Sequence, residues 1–113
     1  MDRNEKKRLR ERIGEKIDVS GTRMSDDEAT FLAGVIDKYD EQYRGDSSTK
    51  TSSFTGSSSE GKYTRTETWT HTFTDEVGIR QDYEYHDDDG QTGKDSKVIK
   101  DARGILNWFQ GRP

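Results

Sequence analysis

Cysteine is absent from this 113-residue chain. That removes disulfide staples, thiol nucleophiles and thiolate metal sites together. Core formers are scarce as well: Leu, Ile, Val and Phe number 17 of 113 residues, fewer than a folded domain usually carries. A disordered chain of such composition would also carry a high net charge. Here Lys and Arg nearly cancel Asp and Glu, leaving −4. No apolar run approaches bilayer-spanning length, and MDRNEKKRLR has no apolar core behind it. Neither membrane contact nor a secretory leader is expected, and the expected setting is the cytoplasm. The length suits one small domain and excludes a two-lobed enzyme or a nucleotide domain joined to a substrate domain.

What is present is charge, unevenly placed. Residues 1–16 hold seven basic side chains against four acidic ones, and residues 75–89 hold seven acids against Arg80 alone. This polarity favours intramolecular docking, head-to-tail association or two different partners. It is not the uniformly basic surface of a dedicated nucleic-acid binder.

Residues 3–17 read as a helix with a narrow stripe, Leu9, Ile13 and Ile17, too thin to hold it down firmly. Residues 1–18 are therefore expected as a basic N-terminal helix that frays, docks weakly or finds a partner, ahead of a single domain over 19–113. Residues 25–43 are a stronger helix: Ser25 and Glu28 form a capping box, and Phe31, Leu32, Val35, Ile36, Tyr39 and Tyr43 fill one face. The Ser/Thr/Gly-rich stretch 46–61 reads as an edge strand near 49–55 with a loop, or as a linker.

Residues 62–74 alternate strictly, with threonine at every even position from 64 to 74 opposite Tyr63, Arg65, Glu67, Trp69, His71 and Phe73. Residues 77–87 alternate too. Period two with β-branched and aromatic side chains means strand. Matching the faces across the hairpin fixes its register: a loop at Asp75–Val77 pairs Phe73 with Ile79, Trp69 with Tyr83 and Glu67 with Tyr85. Residues 87–94 read as a turn, and 96–109 as a helix with a Val98, Ala102, Ile105, Phe109 stripe ended by Gly111 and Pro113. The expected fold is two-layer α+β, order α-α-β-β-β-α: an antiparallel sheet of two or three strands whose aromatic face is covered by helices 25–43 and 96–109, with the N-terminal helix in addition.

No motif carries chemistry. GSSSEGK at 56–62 meets the phosphate-loop pattern, but Tyr63 stands where the magnesium hydroxyl belongs, and a strand follows instead of a helix. HDDDG at 86–90 lacks the first acid and the closing glutamate of a calcium loop. His71 and His86 fall on opposite faces and share no ligand set. The threonine row resembles ice-binding spacing, yet Arg80, Asp82, Glu84 and His86 on the next strand break the lattice. No cofactor, metal or catalytic residue is expected.

The reading that remains is a small non-enzymatic interaction protein, of the kind found among adaptors, inhibitors and mobile-element or phage accessory proteins. It would bind a protein partner or itself through Leu9, Ile13, Ile17, Arg8, Arg10 and Arg12. A nucleic-acid-associated factor using the same basic helix is the alternative, diluted by Glu5, Glu11 and Glu15. A small enzyme or ligand-binding domain comes third.

Overall fold

The structure, a computed structural model, describes residues 2–111. Its elements are α1 (Arg3–Gly14), α2 (Asp26–Lys38) running into a π-helical turn (Tyr39–Tyr43), β1 (Ser47–Ser58), β2 (Gly61–Phe73), β3 (Ile79–Asp87), β4 (Thr92–Ile99) and α3 (Ala102–Phe109). The four strands form one antiparallel meander in chain order. The class is α+β as expected. The sheet has four strands instead of two or three, and the order is α-α-β-β-β-β-α.

The extra strand comes from the segment read as turn and helix start. β4 pairs along β3 from His86↔Thr92 to Ile79↔Ile99, and its hairpin closes at Gly90, whose φ of +94° suits glycine. The last helix begins only at Asp101, whose carboxylate accepts from Gly104 N–H at 3.0 Å. Val98, counted as helix stripe, is instead an exposed strand residue. Gly111 has φ +74° just past α3; Pro113 lies outside the described residues.

The central hairpin has the expected register: Phe73↔Ile79, Trp69↔Tyr83, Glu67↔Tyr85. β1 extends the sheet on the other side, turning at Ser59–Glu60 between Ser58 and Gly61. GSSSEGK is thus a hairpin tip feeding a strand. Pairing with β1 adds what strand alternation alone left out: Thr49, Thr51 and Ser53 lie opposite Thr70, Thr68 and Thr66, their hydroxyls 3.3, 3.5 and 3.1 Å apart. The wet face is a two-strand hydroxyl ladder on this side and charged on the other.

The apolar core lies among the helices. Ile13, Ile17, Ala29, Leu32, Ala33, Ala102, Ile105 and Leu106 form it, with Leu9, Val19, Met24, Ile36, Val77, Ile99 and Phe109 packed around. The N-terminal stripe is therefore used inside the chain: Ile13 is fully buried and Leu9 half-buried. The capping box of α2 forms as read, Ser25 and Glu28 exchanging bonds of 3.0 and 3.1 Å. Charge guides the docking of α1. Lys6 and Arg10 meet Asp26 at 3.0 and 3.1 Å, and Arg12 meets Asp37 at 3.5 Å. The bonds from Lys6 and Arg10 hold the Asp26 carboxyl below its ordinary range. The basic helix thus finds the acids of α2, not the acidic 75–89 stretch.

Helices and sheet join at one end only. Phe73 packs against Tyr39, Tyr43 and Phe109, and His71 against Trp108 at 4.2 Å. The molecule measures 63 × 26 × 18 Å. The expected covering of the whole aromatic face is corrected by this: the helices reach the Phe73 end, and the sheet runs on beyond them as a single layer.

Candidate binding surface on the helix-free half of the sheet

Beyond His71 the face expected to form the core is open. Residues directly opposite one another share a face. One row across the sheet reads Lys50, Trp69, Tyr83, Asp95, and the next reads Ser52, Glu67, Tyr85, Gly93. Further out stand Phe54, Arg65 and Asp87, then Gly56 and Tyr63.

These side chains support one another laterally, as no helix lies over them. Trp69 and Tyr83 rings are 4.3 Å apart, and Tyr83 and Tyr85 are 6.2 Å apart. The Arg65 guanidinium sits 4.0 Å from the Tyr85 centroid and 5.4 Å from that of Tyr63. The Tyr83 hydroxyl donates to the Glu67 carboxylate, which raises the phenol above its ordinary value. Glycines on the edge strands let two rings lie flat. A Cβ on Gly56 would collide with the Tyr63 ring, and one on Gly93 with the Tyr85 ring. Each tyrosine covers the glycine across from it, which shields an otherwise bare strand. The result is a broad aromatic plate with Lys50 and Asp95 at opposite margins of its Trp69–Tyr83 centre.

No family model, curated protein or solved structure matches this chain. The surface therefore has to be read from its own chemistry.

The far end of the plate is pinned electrostatically. Arg65 donates to both oxygens of Asp87, at 2.7 and 2.9 Å, and Asp87 is buried. Asp88 accepts from Thr64 N–H at 3.1 Å, and Asp89 from Gln91 N–H at 3.1 Å. The acidic turn is therefore engaged within the sheet: Asp87 and Asp88 tie it to β2, and Asp89 bonds within the turn itself. The Arg65 bonds keep the Asp87 carboxyl below the usual range, outweighing the opposing effect of burial. Its folded value is lower than its unfolded one, so its stabilisation is present above the unfolded value of about 3.9 and lost as pH falls through the folded value. Asp26, Glu28 and Asp82 shift in the same direction. We expect thermal stability to be flat between pH ~5 and ~9, to fall below pH ~4 as these carboxylates protonate, and to fall again in alkali as the raised Tyr83 phenol ionises. Asp87→Asn should be less stable at neutral pH yet lose less on acidification. Melting curves across pH check this; an Asp87→Asn variant with the wild-type acid slope would remove Asp87 from the account.

The sequence-predicted binding residues do not gather into one surface. Ile13 and Ile17 point into the core with Leu9 beside them, and Arg10 and Arg12 are held by Asp26 and Asp37. Arg8 alone of the six is exposed without an ion pair among the described residues. His71 lies 3.3 Å from Gln81, and His86 lies on the opposite face. Among the described residues no cluster of three or more His, Asp or Glu is placed to hold a metal, and no helix is long and apolar enough to cross a membrane.

Proposed function

We propose that this chain is a small non-enzymatic protein-binding module that works through the helix-free aromatic plate. The observation that supports the reading is the Trp69–Tyr83 pair, 4.3 Å apart, standing on a single-layer sheet with Tyr85, Arg65 and Tyr63 beside it. Trp, Tyr and Arg are the side chains that carry binding energy in interfaces. They offer large rigid area at little cost in conformational entropy. The margins define the partner's chemistry: an apolar centre, an acid to meet Lys50 and a base to meet Asp95. The residues of α1 serve folding in this reading, since their apolar stripe is already covered.

The test is a comparison of baits. The wild-type chain and a Trp69→Ala/Tyr83→Ala variant are used to recover binding proteins, and a recovered partner is then titrated against both as purified protein. The variant should bind at least tenfold more weakly, as loss of central aromatic anchors predicts, and keep the helical core's melting transition. Equal affinity would overturn the proposal. So would retention of a single-stranded oligonucleotide, weakened by salt and by the same variant, in place of a protein.

A further inference from the structure

The two edges of the sheet are not alike. β4 carries Lys94, Asp95 and Lys97 along its eight residues, the charged dressing that keeps a strand edge from pairing with another chain. β1 is longer, 12 residues, and bears one charge, Lys50, with no proline. Its substantial contacts are all with β2, and every residue except Gly56 is exposed. A long edge with so little charge is a template for strand addition.

We propose that β1 pairs antiparallel with β1 of a second copy of this chain, joining two meanders into one eight-stranded sheet. The self-complementarity of the strand argues for a second copy. Counting the ladder from the Ser59–Glu60 turn, the backbone groups of Ser47, Thr49, Thr51, Ser53, Thr55 and Ser57 point outward. A two-fold axis at Ser52 brings all six into register with the same six on the partner. On the hydroxyl face, Thr51 then lies opposite the partner's Ser53 and Thr49 opposite the partner's Thr55. This continues the ladder of 3.1 to 3.5 Å hydroxyl pairs already present between β1 and β2. On the aromatic face, Lys50 lies opposite the partner's Phe54, and the two lysines stay apart. Phe54, 44% exposed in the single chain, gains a cation and an aliphatic stem to pack on. The Trp69, Tyr83 and Tyr85 rings of the plate proposed above are left open on both copies and only its Lys50 margin is shared with the new seam, so the pairing is tested separately from that function by the Trp69→Ala/Tyr83→Ala variant below.

The absence of cysteine supplies a clean test. Sedimentation equilibrium of the full chain should show a monomer–dimer equilibrium. Ser52→Cys should form a disulfide-linked dimer on mild oxidation, because facing Cα atoms in an antiparallel pair lie about 4.5–5.5 Å apart, within disulfide reach. Ser57→Cys should not. Ser53→Pro removes an outward N–H and should abolish the dimer. Thr51→Lys/Ser53→Lys sets like charges across the axis and should do the same without touching the backbone. Trp69→Ala/Tyr83→Ala should leave the dimer intact. A wild-type chain that stays monomeric at high concentration overturns the proposal. So does a dimer that survives both β1 variants, or one lost only with Trp69 and Tyr83.

Discussion

Ile13→Ala is expected to cost about 2–5 kcal/mol, the range for truncating a fully buried branched aliphatic. Deleting residues 2–17 is expected to abolish cooperative folding of the helical layer. Ile13 is 0% and Ile17 6% exposed, both inside the cluster that contains Leu32, Ala29, Ile105 and Leu106. Removing them uncovers the inner faces of α2 and α3 at once. The chain beyond is tied in as well: the Asp18 carbonyl accepts from Ala102 N–H at 2.7 Å, and Asp18 N–H donates to the Lys100 carbonyl at 3.3 Å, a short parallel bridge that sets where α3 begins. A small domain is stable by about 5–15 kcal/mol in total, so two such losses with the ion pairs to Asp26 consume most of it. Urea unfolding followed by circular dichroism measures the effect. A truncated chain that unfolds like the full one would make α1 an appendage, its Leu/Ile stripe free for a partner.

Much of this was legible in the residues, and the failures have identifiable causes. The β2–β3 register followed from face matching because a one-residue slip would have set Phe73 against Gly78. The capping box of α2 was local chemistry and needed no tertiary knowledge. β4 is not legible in the pattern, because Val98, Ala102, Ile105 and Phe109 are spaced for a helix while the start signal of α3 is only the Asp101 cap with Gly104 three residues on. The α1 stripe looked thin in isolation; it is sufficient because the core it joins is small and built partly of alanine.

The open plate was hidden for a different reason, one of length. A strand advances about 3.4 Å per residue and a helix about 1.5 Å. β2, with 13 residues, is thus roughly 44 Å long, whereas α2 with 13 and α3 with 8 are about 20 and 12 Å. Helices of that size cannot cover such a strand whatever their amphipathicity. Alternation identifies the apolar face but says nothing about what lies above it. The paired signal, glycine on each outer strand opposite a tyrosine, becomes visible only once the strand neighbours are known.

Tyr39→Ala should be among the most damaging single substitutions in the chain, costing about 3–5 kcal/mol as for other buried large aromatics. Tyr39→Phe should cost about 1–3 kcal/mol. The ring is 1% exposed and meets Phe73 edge-on at 6.1 Å. Its hydroxyl sits within the β2–β3 loop, donating toward the carbonyls of Thr74 at 2.6 Å and Gly78 at 2.9 Å and accepting from Gly78 N–H at 3.3 Å. One side chain thereby joins the helical layer to the turn between the two central strands. The π-helical turn makes this geometry: Arg44 N–H bonds to Tyr39 O at 2.9 Å, five residues back, and both Tyr39 and Tyr43 reach Phe73. With few contacts linking the layers elsewhere, loss of the ring should separate their unfolding, so that Trp fluorescence and far-UV circular dichroism no longer report one transition. The phenylalanine variant isolates the hydroxyl. If it unfolds with the wild-type midpoint, the loop is held by packing alone. If it loses about a third of the alanine effect, the hydrogen bonds to the loop are what aim the sheet, and with it the aromatic plate, away from the helices.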